Sequence, residues 1–250
     1  MTKRKLVTYT IWSLGLLLLW NHFAMGAETL PKKLGLRVTT IMIDPWYGGE
    51  EKGPLISQRL GKDITLELAQ KLQGKLEASG LKVFLTRSGD RRVPLEDRVF
   101  QGKSKGADVH LAIKVSIAKK DCIRLFMASP PIKKSRNATV TKKTEDLGTE
   151  LNEIFNSIKA DDIREESLFL SKIISDKFKD GLSTTCVELW KGKDYILTNA
   201  QSPTVMVDFR ISTTAKKPFT LDAAALDKMS GLLADSINDY SEQHKPKEDK

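Results

Sequence analysis

Three short stretches of the chain gather side chains that can do chemistry, and each lies where an apolar run ends. Asp44-Pro45-Trp46-Tyr47-Gly48-Gly49, followed by Glu50 and Glu51, supplies carboxylates, an indole and a phenol. Lys114-Val115-Ser116 adds a cation and a hydroxyl, and Asp208-Phe209-Arg210 adds an acid and a guanidinium. Asp44, Glu50, Glu51 and Asp208 make an all-oxygen donor set, which suits magnesium or calcium. Lys114 in their midst argues against a cation there, and leaves Glu50 and Glu51 as ordinary surface carboxylates. A nitrogen-based metal site is harder to build. The chain has three histidines, and His22 falls in the apolar N-terminal stretch while His244 falls in a polar tail. His110 remains, in the middle of an extended run and four residues before Lys114, about 13 Å along a strand. No Ser-x-x-Lys opens a helix, and no histidine stands beside a recognisable Ser or Cys nucleophile. Nothing supports a glycosidase carboxylate pair. Asn137-Ala138-Thr139 fits a glycosylation acceptor pattern too common to carry weight.

Compartment narrows the choices further. Lys3, Arg4 and Lys5, then an apolar stretch densest at Leu14 to Trp20, then Ala24 and Gly26, read as a signal peptide cut after Gly26. The run is short for a membrane span of roughly 20 residues, though an uncleaved anchor is the alternative. Removing the three basic residues of the signal lowers the net charge from +9 to +6. A moderately basic exported domain suits anionic envelope polymers better than nucleic acid, and a spread of lysines for solubility is the plainer explanation. The membrane enters only through an uncleaved signal. Two cysteines, Cys122 and Cys186, are permitted one disulfide by export; whether they pair or stay as two separate buried thiols is open.

The elements that must position these residues alternate in type. Leu36 to Ile43 reads as a strand ended by Asp44-Pro45, and Lys52 to Gln58 as a loop broken by Gly53-Pro54. Asp63 to Ser79 spaces Leu66, Ala69, Leu72 and Leu76 as a helix, with Gly80 closing it. Leu81 to Leu85 is a strand, Pro94 to Lys105 a helix, and Asp108 to Ser116 an apolar strand covered on both faces. Ile123 to Ala128 reads as a strand and Pro130 to Thr144 as an exposed loop. Asp146 to Ile158 and Glu165 to Phe178 read as two helices. Tyr195 to Leu197 and Thr204 to Asp208 read as short strands, and Leu221 to Tyr240 as a closing helix. This order predicts an α/β three-layer sandwich with a twisted, mainly parallel sheet flanked by helices. Sites in such sheets gather at the carboxyl ends of strands, where the three stretches lie. The expected organisation is a signal at 1–26, a linker at 27–35, one domain at 36–240 and a polar tail at 241–250.

Ile43-Asp44-Pro45-Trp46-Tyr47-Gly48-Gly49 resembles the strand-end motif of the zinc-dependent N-acetylmuramoyl-L-alanine amidases, which carry Asp-Pro-Gly-His-Gly-Gly there. Lys62-Asp63-Ile64-Thr65-Leu66 is similar to the start of that family's first helix. Leu81 to Arg87 with Asp90, Val93 to Arg98, Gly106-Ala107-Asp108, Tyr195-Ile196-Leu197 and Ser202 to Asp208 follow in the family's order. The resemblance runs from about Arg37 to Leu233 and implies the amidase fold.

The family's chemistry does not carry over so readily. Two histidines and a glutamate hold one zinc in the family, and a further glutamate acts on the last strand. Tyr47 stands at the first histidine, Gly61 at the ligand glutamate, Lys114 at the second histidine and Asp208 at the catalytic glutamate. A phenol with a pKa near 10, a glycine and an ammonium are poor company for zinc. The resemblance therefore implies a member without zinc or another cofactor, with no catalytic residue expected. A vestigial pocket of Asp44, Trp46, Tyr47, Glu50, Lys114, Asp208 and Arg210 would bind peptidoglycan or a cell-wall protein in the periplasm or envelope. The alternative is an active amidase with a rebuilt site, cleaving the lactyl-alanine amide of peptidoglycan. Lys114 either pairs with Asp208, with the Tyr47 hydroxyl in reach, or points to solvent.

Overall fold

Short apolar runs build the middle of the molecule. Strand β1 (Thr40–Pro45) is buried along nearly its whole length. It pairs in parallel with β4 (Lys82–Leu85) on one side and β5 (Val109–Ala118) on the other. Strand β8 (Thr204–Ser212) continues the parallel sheet beyond β5. β6 (Cys122–Ala128) then runs antiparallel to β8, and β7 (Cys186–Gly192) lies parallel to β6 at the edge. The strand order is β4-β1-β5-β8-β6-β7. The computed structural model describes residues 37–128, 147–182, 186–214 and 221–245. The expected export signal at 1–26, the expected linker at 27–35, the expected loop at 130–144 and residues 246–250 of the expected tail lie outside the described residues.

Period-two alternation decides which face each strand residue serves. Ile41, Ile43, Leu111, Ile113, Val115, Val205, Val207 and Phe209 belong to one large buried cluster. Helix α1 (Gly61–Ala78) docks there through Ile64, Leu68, Leu72 and Leu76, a strict i, i+4 stripe. Each such buried side chain contributes roughly 1.5–3 kcal/mol. Helix α3 (Leu147–Gly181) adds Leu170, Ile174 and Phe178, and helix α5 (Ala223–Gln243) adds Leu226, Met229, Leu233 and Ile237. The opposite face is more thinly covered, by α2 (Leu95–Ser104) and by α4 (Tyr195–Asn199), which seats Leu197 on Ala112 and Met206. This is the mixed α/β architecture with a mostly parallel sheet that the sequence predicts. No helix among the described residues is long and apolar enough to cross a membrane.

The differences from the sequence reading are local. Tyr195 to Leu197, expected as a strand, is the first turn of α4. Its amides turn back on the chain, with Thr198 N–H donating to Asp194 O at 3.1 Å and Ala200 N–H to Ile196 O at 3.1 Å. The two expected helices at 146–158 and 165–178 are one helix, because no Gly or Pro interrupts 159–164 and Arg164 pairs with Asp161 one turn away. Strand β7 was not foreseen; Glu188, Leu189, Trp190 and Lys191 give no apolar alternation because it is an edge strand with three exposed residues. The loop expected at 52–58 holds half of a small hairpin. Leu55–Ile56 (β2) pairs with Arg59–Leu60 (β3) across Ser57 and Gln58, both left-handed, as a type I′ turn requires. The tail also begins later than expected. α5 runs to Gln243, Ser241 donates to Val38 O at 3.0 Å, and His244 bonds to Tyr240 O and to Glu166 at 3.0 Å. That carboxylate raises the His244 pKa.

Candidate functional site

The loop after β1 is held from beneath by buried polar groups. Asp44 is fully buried and accepts hydrogen bonds from Thr86 Oγ1 at 2.5 Å and Arg98 Nη1 at 2.6 Å. Arg98 also donates to the carbonyls of Val93, Pro45 and Tyr47. Arg87 donates to the carbonyls of Pro45, Trp46, Lys62 and Gly89. These bonds fix the path of Trp46-Tyr47-Gly48-Gly49 with groups that never reach the surface. Gly48 is obligatory: a Cβ there would lie 2.2 Å from Arg91 O. Asp44, expected in the pocket, is therefore a brace under the loop: its Oδ1 takes both Thr86 and Arg98, while its buried Oδ2 has no hydrogen-bond partner among the described residues.

Tyr47 sits in the left-handed region at φ 68°. Its hydroxyl donates to Val115 O at 2.8 Å, and its ring lies against Gly53, where a Cβ would come within 2.8 Å of ring carbons. Burial first, and then the Asp208 charge, push its pKa up to about 12. The hydroxyl is thus directed to a backbone carbonyl and not to Lys114 and Asp208. Gly61 opens α1 under the same loop. A Cβ added there would stand 2.8 Å from Pro54 Cδ and 3.2 Å from Val115 Cγ2, so Pro54 occupies the space a longer side chain would need.

Lys114 and Asp208 are register partners on β5 and β8. Among the described residues Lys114 has no carboxylate within ion-pair distance, so the direct pair envisaged from the sequence is not formed. Its ammonium lies 5.5 Å from the centre of the Trp46 ring. Ser116 explains the difference: its hydroxyl lies 2.8 and 2.9 Å from the two Asp208 oxygens, and Arg210 Nη1 lies 3.8 Å away. Burial raises the Asp208 pKa, opposed by the Ser116 hydrogen bond and by the Lys114, Arg210 and Arg124 charges. Glu50 is exposed and forms no hydrogen bond or ion pair among the described residues.

Three residues of this face escaped the sequence reading. Arg124 is the register partner of Asp208 on β6 and of Glu188 on β7. It bonds to Glu188 Oε2 through Nε at 3.0 Å and Nη2 at 2.8 Å, and it lies 4.0 Å from the centre of the Trp190 ring. The Trp190 indole N–H donates to the same Glu188 oxygen at 3.0 Å. The alternations Cys122-Arg124-Phe126 and Cys186-Glu188-Trp190 were the available signal. Cys122 and Cys186 face each other across β6 and β7, Cα atoms 4.5 Å apart, and are joined as a disulfide. Among the described residues one group of three candidate metal ligands comes together, Cys122, Cys186 and Glu188, and the disulfide already engages two of them.

A family model described as N-acetylmuramoyl-L-alanine amidase matches residues 41–239. The chain is 40% identical over 78 residues to the N-acetylmuramoyl-L-alanine amidase AmiC of Neisseria meningitidis, covering 31% of this chain and 19% of that protein. It is 37% identical over 90 residues to the probable cell wall amidase LytH of Staphylococcus aureus, covering 35% and 29%. The chain thus spans less than a third of the length of either relative. The amidase CwlD of Clostridioides difficile, solved in complex with the lipoprotein GerS, shares the fold at TM-score 0.57 and 19% identity, covering 81% of this chain and 98% of that one.

Proposed function

Since the chain belongs to the N-acetylmuramoyl-L-alanine amidase family yet carries Tyr47, Gly61 and Lys114 where the resemblance puts zinc ligands, we propose that it is a non-catalytic member of the family. In this reading it is exported to the cell envelope, where it binds peptidoglycan or regulates a wall hydrolase. The observation that carries the proposal is the donor chemistry at the mouth of the sheet. The phenol at 47 gives its proton to a backbone carbonyl. Position 61 has no side chain, and Pro54 fills the space. Position 114 is a cation. Zinc needs three neutral or anionic ligands with one position open, and this set does not fit it. No hydrolytic step is therefore assigned. Envelope localisation is supported by the N-terminal signal pattern and by the cell-wall relative. A protein partner is compatible with this fold, since the amidase CwlD was solved in complex with a lipoprotein.

The test is metal content and zymography on mature protein purified without chelators. Zinc well below one equivalent and no clearing of murein are expected. One zinc per chain with chelator-sensitive clearing would instead establish an active amidase with a rebuilt site.

A further inference from the structure

Strand pairing at the edge of the sheet brings Cys122, Cys186 and Glu188 together. Cys122 and Cys186 face each other across β6 and β7, and Glu188 stands two residues beyond Cys186, on the same face of the edge strand. One ligand atom from each lies within 4.8 Å of the other two. The cluster shares no residue with positions 47, 61 and 114. Cys122 is the β6 partner of Arg210, and Cys186 lies one strand further out.

The two oxygens of Glu188 are used unequally. Oε2 accepts from Arg124 Nε at 3.0 Å, from Arg124 Nη2 at 2.8 Å and from the Trp190 indole N–H at 3.0 Å. Oε1 takes none of these bonds and lies 3.6 Å from Cys186 Sγ. Outer partners orient a metal-ligating carboxylate in this way, fixing one oxygen and leaving the other to the metal. A disulfide is neutral and needs no carboxylate beside it. Two thiolates and a carboxylate are three anionic donors, which suit zinc with one position left open.

The sulfurs differ in access. Cys122 is 4% exposed, whereas Cys186 is only partly buried. A thiolate of an external dithiol attacks Cys186 Sγ, the S–S bond breaks and Cys122 leaves as thiolate. The second thiol of the reagent then displaces Cys186 and closes the reagent's own disulfide. Two electrons and two protons pass to the cysteines, and zinc binding releases those protons to solvent.

We propose that Cys122, Cys186 and Glu188 form a redox-gated zinc site, closed while the disulfide stands and opened by a dithiol reductant.

The experiment is anaerobic cobalt(II) titration of the mature chain before and after reduction. Absorbance reports binding, zinc serves as competitor and circular dichroism checks the fold. Reduced protein is expected to take up cobalt with a thiolate-to-metal charge-transfer band that zinc abolishes, and oxidised protein to show no band. Glu188→Gln is expected to keep the band and to bind at least about tenfold more weakly. Cys186→Ser is expected to lose the band. Reduced wild type without the band, or without the native dichroism, overturns the site. So does Glu188→Gln binding cobalt as tightly as wild type, or a band that survives in Cys186→Ser.

Discussion

Two polar regions lie within a few residues of each other and are built on opposite terms. Under the loop after β1, Asp44, Thr86, Arg87 and Arg98 are almost wholly buried, and their bonds run to one another and to backbone carbonyls. At the mouth of the sheet, Lys114, Asp208, Arg124 and Glu188 alternate in charge; Asp208 is buried as well, while the other three are only partly so. The first region holds the loop after β1 from beneath; the second carries Lys114 and Asp208, register partners on β5 and β8. The contrast teaches that loop scaffolding and site chemistry are separable. The brace holds the strand-end loop through backbone carbonyls that any residue at position 47 would present, whereas at the mouth the polar side chains hold one another.

Substitutions can break or sharpen this contrast. Arg98→Ala leaves the Asp44 carboxylate buried with Thr86 alone, and should cost about 3–5 kcal/mol in a denaturant titration. A loss below about 1 kcal/mol, the surface-pair range, would erase the distinction between the regions. Gly61→Glu drives a side chain into Pro54 and Val115 and should destabilise by about 1–3 kcal/mol, read in the same way. A variant that melts like wild type would mean the hairpin moves aside easily. Arg124→Ala on the open face removes a pair whose side chains are 19% and 31% exposed, and should cost no more than about 1 kcal/mol.

The smallest effect is one of pH. The Asp208 pKa is raised in the fold, so its contribution is fully present below the unfolded carboxylate pKa and is lost as pH rises through the folded value. Asp208→Asn, which cannot ionise, should therefore gain stability relative to wild type between about pH 4 and pH 7. Paired melting curves at the two pH values check it, and a relative loss on going to pH 7 would show that the charged form is the favoured one.

Much of this was legible in the sequence for identifiable reasons. Leu72 and Leu76 at helical spacing, and the turn at Gly80, announced α1; there Leu81 N–H returns to Leu76 O at 3.1 Å. The continuous apolar run of β5 announced a strand covered on both faces. Tyr47, Lys114 and Asp208 were singled out through the family resemblance, and the parallel pairing of β5 with β8 makes the last two register partners. Glu188, Arg124 and Trp190 were not, because their meeting depends on β6 reversing direction against β8 and on β7 closing the edge.

By itself, then, the sequence determined which residue types stand at the mouth of the sheet, since donor chemistry is a property of the side chain alone. It also determined the strand and helix alternation, since burial imposes a period on apolar residues. The tertiary structure alone decided that Pro54 fills the space beside Gly61, that Ser116 and not Lys114 meets Asp208, and that Cys122 bonds Cys186. Those outcomes are set by distances of a few ångströms between segments far apart in the chain, and such distances exist only once the register of the sheet is fixed.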